Sequence, residues 1–177
     1  MREKVDAEVL RKFMEAIGRS GRTGARIYLV GGATVVLFGW RATTIDVDIK
    51  LVPEVNDILR TLPELKEQLH INIELASPDD FIPALPGWEE RSSFISREGT
   101  IDFFHYDFYG QALAKIERGH TTDLRDVHEM IERRLIEPAR LLELFSRIED
   151  QLYKYPAIDA KSFRKAVEAF IQSLASN

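Results

Sequence analysis

The sequence predicts an α+β fold, in which a small mixed or antiparallel sheet is covered by helices and followed by a C-terminal helical region. Two observations lead to this prediction. Over the first 106 residues, short runs rich in β-branched residues alternate with amphipathic runs. From residue 107 onward, apolar residues recur only at helical spacing. We therefore expect an α/β part over 1–106 and a helical part over 107–177, joined in one compact unit.

The first elements are bounded by glycines. A helix over about 5–18 ends where glycines begin to recur, and a strand over 26–30 runs into Gly31 and Gly32. A short apolar helix over 33–38 follows. The glycine pair lets the backbone approach a ligand closely and offers its N–H groups to phosphate oxygens.

The next elements are predicted from the position of Pro53 and from the alternation of apolar and polar residues. A strand over 45–51 precedes a helix that begins at Pro53, because proline is favoured in the first turn, and ends near 68. A third strand covers 70–76. A hairpin then pairs 92–97 with 100–106. The four predicted helices of the second part cover 108–118, 122–134, 138–153 and 160–174.

Two aspartates occupy alternate positions of the second strand. Asp46 and Asp48 therefore point to the same face, and the apolar residues fill the opposite face. These apolar residues are Ile45, Val47, Ile49 and Leu51. Neighbouring carboxylates repel each other unless a cation lies between them, and Mg²⁺ takes oxygens from one or two carboxylates and from substrate phosphates. The pair indicates metal-assisted phosphoryl or nucleotidyl transfer, although the same alternation is also typical of a solvated strand face.

The order of strand, glycine pair, helix and Asp-x-Asp strand resembles the polymerase-beta-like nucleotidyltransferase superfamily. The chain is most similar to its small prokaryotic branch, which holds minimal nucleotidyltransferases and abortive-infection type toxin nucleotidyltransferases. The resemblance spans about 25–130. It rests on Gly31, Gly32, Arg41, Thr44, Asp46, Asp48 and a later stretch over 111–126. It implies a nucleotidyltransferase fold in which the glycine pair, Arg41 and Thr44 bind the nucleotide.

The resemblance also implies a third acid on a strand beside the aspartate pair. Glu74 shares the polar face of the third strand with Asn72, while the apolar residues of that strand, Leu75 among them, face the core. We assign Glu74 as the third metal ligand and catalytic acid, together with the aspartate pair. Asp102, on the hairpin, is the alternative.

A further group of charged residues is implied in the helical part. Gln111, Lys115 and Arg118 share one helix face, and Asp123 and Asp126 begin the next helix. In the similar enzymes such residues flank the nucleotide phosphates, where a lysine offsets charge that develops in the transition state. The alternative is a polar helix face whose acids pair with nearby arginines.

The function implied by the resemblance is transfer of a nucleoside monophosphate from a nucleoside triphosphate to a hydroxyl, with Mg²⁺ or Mn²⁺ as cofactor. The expected acceptor is an RNA, such as tRNA, or a protein. The expected setting is toxin–antitoxin or phage defence, with a cognate toxin or antitoxin as partner. The alternative is a weakly active or inactive module, such as an antitoxin, that binds a nucleotide or a partner.

Composition and net charge exclude several classes of protein and of binding site. The chain has 177 residues, of which 45% are hydrophobic, so it can bury a sizeable core. Its formal net charge of −5 excludes a nucleic-acid binder that relies on overall positive charge. Without cysteines it has neither disulfides nor a thiolate metal site. No apolar run approaches a membrane span, so we expect a cytoplasmic protein without a membrane partner.

Overall fold

The computed structural model describes residues 3–176, which form two compact units. Within this range, the first unit contains 3–77 and 92–106, and the second contains 78–91 and 107–176. The α-helices are α1 (Ala7–Ser20), α2 (Gly32–Phe38), α3 (Asn56–Leu69), α4 (Trp88–Arg91), α5 (Phe108–Arg118), α6 (Thr121–Glu132), α7 (Pro138–Ile148) and α8 (Ala160–Ala175). The strands are β1 (Ala25–Val30), β2 (Asp46–Val52), β3 (Asn72–Leu75), β4 (Ser93–Glu98) and β5 (Ile101–His105). The predicted α+β class is confirmed.

The first unit is built on one mixed sheet with the strand order β3-β2-β1-β5-β4. The pairs β1–β2 and β4–β5 are antiparallel, whereas β1–β5 and β2–β3 are parallel. The predicted hairpin is the β4–β5 pair. The register of this pair shifts between Phe94 and Ser96. The crossover through α3 places β3 beside β2, so the third strand extends the sheet next to the Asp-x-Asp strand.

The core of the first unit lies between this sheet and its helices. Val47 and Ile49 of β2 are fully buried in a cluster that includes Phe13 of α1 and Ile58 of α3. The alternate residues of β2 are only half-buried, as the strand's period of two requires. The aspartates therefore lie on the face of β2 opposite the core.

Three local predictions were wrong. Ile45 is 65% exposed, because it precedes β2 and does not share that strand's alternation. Leu75 is 50% exposed at the end of the short edge strand β3. The third helix begins at Asn56 rather than Pro53, which instead follows a cis peptide bond after β2.

The second unit is helical, with 3₁₀ helices at Pro78–Asp80 and Glu149–Lys154. The predicted helix over 138–153 ends earlier, at Ile148, and continues as the second of these 3₁₀ helices. The apolar faces of α5, α6, α7 and α8 supply its buried residues. Two groups of buried charged residues in this unit are described below.

Candidate functional site

The polar face of β2 and β3 brings four side chains together. In the parallel register, Asp46 lies opposite Asn72 and Asp48 lies opposite Glu74. Directly opposed residues on one face of a sheet are within reach of each other. The structure therefore places Glu74 beside the aspartate pair. We call these four residues the polar quartet.

An amide joins two carboxylates of the quartet. The Asn72 Nδ2 group donates hydrogen bonds to Asp46 Oδ1 at 2.7 Å and to Glu74 Oε1 at 2.6 Å. Asn72 is only 6% exposed, whereas Asp46 is half-buried and Glu74 is exposed, so the two bonds are partly buried. The sequence indicated Asn72 only as a neighbour of Glu74 on the polar face. Its role between two acids depends on a strand pairing that the sequence does not specify.

The glycine turn lies against the quartet. Val30, the last residue of β1, is opposite Asp48, so the chain turns at Gly31 beside that carboxylate. Gly31 has φ 57° and ψ −125°, a conformation that L side chains rarely adopt. A Cβ atom at Gly31 would lie 3.5 Å from Asp48 Oδ2. A methyl group at this position would therefore be in ordinary contact with the carboxylate, and the requirement for glycine comes from the backbone conformation.

Gly32 is required by a different contact. A Cβ atom at Gly32 would lie 2.0 Å from Thr44 Oγ1 and 2.7 Å from Thr44 Cβ, so a side chain there displaces the threonine. Thr44 is held in turn by two backbone hydrogen bonds with Val5, and its hydroxyl donates to the Asp46 carbonyl at 3.2 Å. Thr44 therefore contacts both the glycine turn and the first residue of β2. Arg41 is half-buried in the preceding loop.

The alternative third acid, Asp102, lies elsewhere in the sheet. It pairs with Arg26 on β1, at the end of that strand opposite the glycine turn, and β1 separates its strand from β2. The four residue steps from Arg26 to Val30 alone span about 13 Å. Asp102 Oδ1 is instead 3.4 Å from Arg97 Nε. The structure therefore brings Glu74, and not Asp102, to the aspartate pair.

One protein family matches this chain. Its sequence profile covers residues 7–174 and is described as a nucleotidyltransferase of unknown function (DUF6036). The chain belongs to this family. The predicted assignment to the nucleotidyltransferases is thereby confirmed. No curated protein and no solved structure matches the chain at a significant level.

The donors that the polar face of this chain offers a cation are carboxylate oxygens. They are the ligand type that Mg²⁺ prefers, and Asp46 and Asp48 present them side by side near the glycine turn. Among residues 3–176, no three His, Cys, Asp or Glu side chains are arranged to hold a metal ion. The amide of Asn72 between Asp46 and Glu74 is consistent with that finding. The aspartate pair therefore fits Mg²⁺ as a two-carboxylate site that other ligands must complete.

The charged residues predicted in the helical part form a cluster within the second unit. Lys115 Nζ lies 2.9 Å from Asp126 Oδ2 and 3.6 Å from Asp123 Oδ1. Arg118 binds Asp123 through Nε at 2.7 Å and through a terminal nitrogen at 2.5 Å. Lys115 and both aspartates are buried, whereas the Arg118 side chain is 60% exposed. We call these four residues the ionic cluster.

The ionic cluster balances its own charges. Burial opposes ionisation of Asp123, but the hydrogen bonds from Arg118 and the charges of Lys115 and Arg118 outweigh it and hold the pKa of Asp123 below its ordinary value. The cluster therefore has a structural function within the second unit. Its role beside nucleotide phosphates stays a prediction.

A second buried ion pair in this unit was missed from the sequence. Asp107 caps α5 by accepting a hydrogen bond from the Tyr109 backbone N–H, and Arg91 binds both of its oxygens, at 3.1 and 2.7 Å. Asp107 is 1% exposed. An aspartate directly before a predicted helix start was the available signal for the cap. Its partner, 16 residues earlier, had no such signal.

The packing of Gly32 against Thr44 predicts a coupled pair of substitutions. Gly32→Ala should destabilise the protein by about 1–3 kcal/mol, because the new methyl group overlaps Thr44. Thr44→Gly removes the overlapping atoms, so the double variant should be more stable than the sum of the single effects predicts. Thermal unfolding of the four proteins measures this coupling.

Gly24→Ala is the matched control for that cycle. A Cβ atom there meets only Thr100 O, at an ordinary 3.7 Å, so its unfolding temperature should stay close to that of the wild type. Strict additivity of the Gly32 and Thr44 effects would contradict the proposed contact.

The lowered pKa of Asp123 predicts a dependence of stability on pH. A depressed carboxyl pKa stabilises the folded state above the ordinary value of about 3.9, and this contribution is lost as pH falls through the lowered pKa. Asp123→Asn should therefore cost about 3–5 kcal/mol near neutral pH, because it leaves charges of a buried pair uncompensated. The difference from wild type should shrink as pH falls below 4.

Denaturant unfolding over a pH series measures this difference. Glu129→Gln, which breaks an exposed pair with Arg133, should change stability by less than about 1 kcal/mol. A pH-independent deficit of Asp123→Asn would show that the carboxylate's charge contributes nothing.

Proposed function

We propose that this protein is a metal-dependent nucleotidyltransferase that moves a nucleoside monophosphate from a nucleoside triphosphate to a hydroxyl of an RNA or a protein. The observation that supports this most strongly is the position of the glycine turn directly after Val30, which pairs with Asp48 across the sheet. A turn that can accept phosphate oxygens thus adjoins side chains that can hold a cation. Family membership supports the reaction class.

The residues of the proposed site bind the cation and the phosphate oxygens. Asp46 and Asp48 hold Mg²⁺ or Mn²⁺, and Glu74 is the third acid on the neighbouring strand. The backbone N–H groups of the glycine turn bind phosphate oxygens. A divalent cation, when bound, supplies charge neutralisation at the reacting phosphate.

The proposed reaction is an in-line displacement at the α-phosphorus. The acceptor oxygen forms a bond to that phosphorus, the bond to the bridging oxygen breaks, and pyrophosphate leaves. The proton of the acceptor hydroxyl passes to a carboxylate of the polar quartet. Thr44, packed against Gly32, keeps the turn and β2 in fixed relation while this happens.

A second candidate function follows from the amide of Asn72. Because it ties Asp46 to Glu74, the described residues contain no ready three-carboxylate metal site. This arrangement favours a module that binds a nucleotide or a partner without turnover, such as an antitoxin. We propose a toxin–antitoxin or phage-defence setting for either function, and growth arrest on expression of this chain alone separates toxin from antitoxin.

The proposal predicts that nucleotide binding depends on the aspartate pair. Asp46→Asn/Asp48→Asn should weaken binding of Mg-ATP and Mg-CTP by more than about 100-fold. Loss of a residue that only hydrogen-bonds a metal ligand costs up to about 100-fold in metal affinity, and this variant changes the proposed ligands themselves. Calorimetric titration measures the affinity. Asp102→Asn is the matched control, because this residue lies on a distant part of the sheet, and it should bind like wild type.

Turnover is measured separately, as release of pyrophosphate and transfer of labelled monophosphate to RNA or protein. Transfer by wild type and none by the double variant supports the enzyme. Binding without transfer supports the second candidate. Equal nucleotide affinity in wild type and double variant would contradict the enzyme and a nucleotide-binding module at this site, and would leave only the partner-binding form of the second candidate.

A further inference from the structure

Asn72 lies between two carboxylates of the polar quartet. Its amide nitrogen lies between oxygens of Asp46 and Glu74, at 2.7 and 2.6 Å. A divalent cation would contact the same two atoms at about 2.0–2.6 Å. The nitrogen and a cation therefore exclude each other between these carboxylates.

The amide is a strong competitor for this place. Both of its hydrogen bonds have ionised acceptors, and charge-assisted hydrogen bonds are the stronger kind. Asn72 is itself 6% exposed and makes both bonds from a buried strand position. A cation that bridges the two acids must first separate them from the amide.

The carboxylates do not need Asn72 in order to stay close. The backbone ladder between β2 and β3 opposes Asp46 to Asn72 and Asp48 to Glu74, and it fixes the strand positions of all four residues. Removing the amide leaves this ladder in place. Its removal therefore relieves competition for the acids more than it disorders them.

We propose that Asn72 is a positioning residue that competes with the divalent cation for Asp46 and Glu74, so that the cation is retained only together with a nucleoside triphosphate. This inference rests on the proposed function, because it concerns the same carboxylates. Without nucleotide, the amide holds the acids and the cation binds weakly. With nucleotide, phosphate oxygens add ligands and shift the balance toward the cation.

The test is titration of the full chain with MnCl₂ alone, without nucleotide. Asn72→Ala should bind Mn²⁺ about tenfold more tightly than wild type. Without the amide, a larger fraction of the molecules has carboxylates free to bind the cation, and the apparent affinity rises with that fraction. In chelator the same variant should unfold at a lower temperature than wild type. A purely structural role lowers stability but does not tighten metal binding, so the two readouts together identify competition.

Two further variants keep this test decisive. Asn72→Val, whose β-branched side chain suits a buried strand position, should also tighten Mn²⁺ binding if the alanine variant fails to fold. Adding Glu74→Gln to Asn72→Ala should remove the gain, because the freed acid is lost. Asn56→Ala, on the exposed start of α3, is the control and should match wild type.

The outcomes separate this inference from the proposed function. Mn²⁺ affinity of the Asn72 variants equal to or weaker than that of wild type overturns the competition, whatever the nucleotide result. If Asp46→Asn/Asp48→Asn binds Mg-ATP as tightly as wild type, the proposed function is overturned, whatever the Mn²⁺ comparison shows.

Discussion

The parallel pairing of β2 with β3 is the constraint on which the candidate site depends. Its register forces three acids and one amide onto the same face of the sheet, with Asp48 opposite Glu74. Like charges so placed repel each other, and a donor or a cation between them lowers that repulsion, while the backbone ladder keeps the strand positions fixed. Asn72 supplies such a donor from within the same strand pair. The site's chemistry is therefore a consequence of strand register.

The surroundings of the acids are equally specific. Gly31 turns with a positive φ beside Asp48, and Gly32 leaves room for Thr44. Thr44 is itself fixed by its backbone pairing with Val5. Neither glycine serves flexibility, since Gly31 is required by its positive φ and Gly32 by the contact with Thr44. The turn, the loop before β2 and the first residues of that strand thus define a rigid border of the polar face.

Much of this site could be predicted from local patterns, and the remainder depended on pairing between distant segments. The alternation of β2 located Asp46 and Asp48 on one face, because a strand's period is fixed. The choice of Glu74 over Asp102 needed the strand order, which alternation does not encode. Exposure of Ile45 and Leu75 was missed because both lie at strand ends, where the core no longer covers the alternating face.

The ionic cluster shows the same limit in the second unit. Helical spacing grouped Lys115 with Arg118, and pairing of the acids with nearby arginines was the alternative, but only the packing of α5 on α6 revealed that both aspartates also pair with Lys115. A buried lysine beside two aspartates has a sufficient structural reason for its position. Charged residues that are grouped by sequence therefore need their partners identified before a catalytic role is assigned.

The most direct test of the central claim is a crystal structure of the protein with Mn²⁺ and a non-hydrolysable nucleoside triphosphate, with data collected at the manganese absorption edge. The account predicts an anomalous peak bonded to carboxylate oxygens of both Asp46 and Asp48, with triphosphate oxygens completing the coordination. Manganese bound away from this pair, or a triphosphate bound away from Gly31 and Gly32, would contradict it.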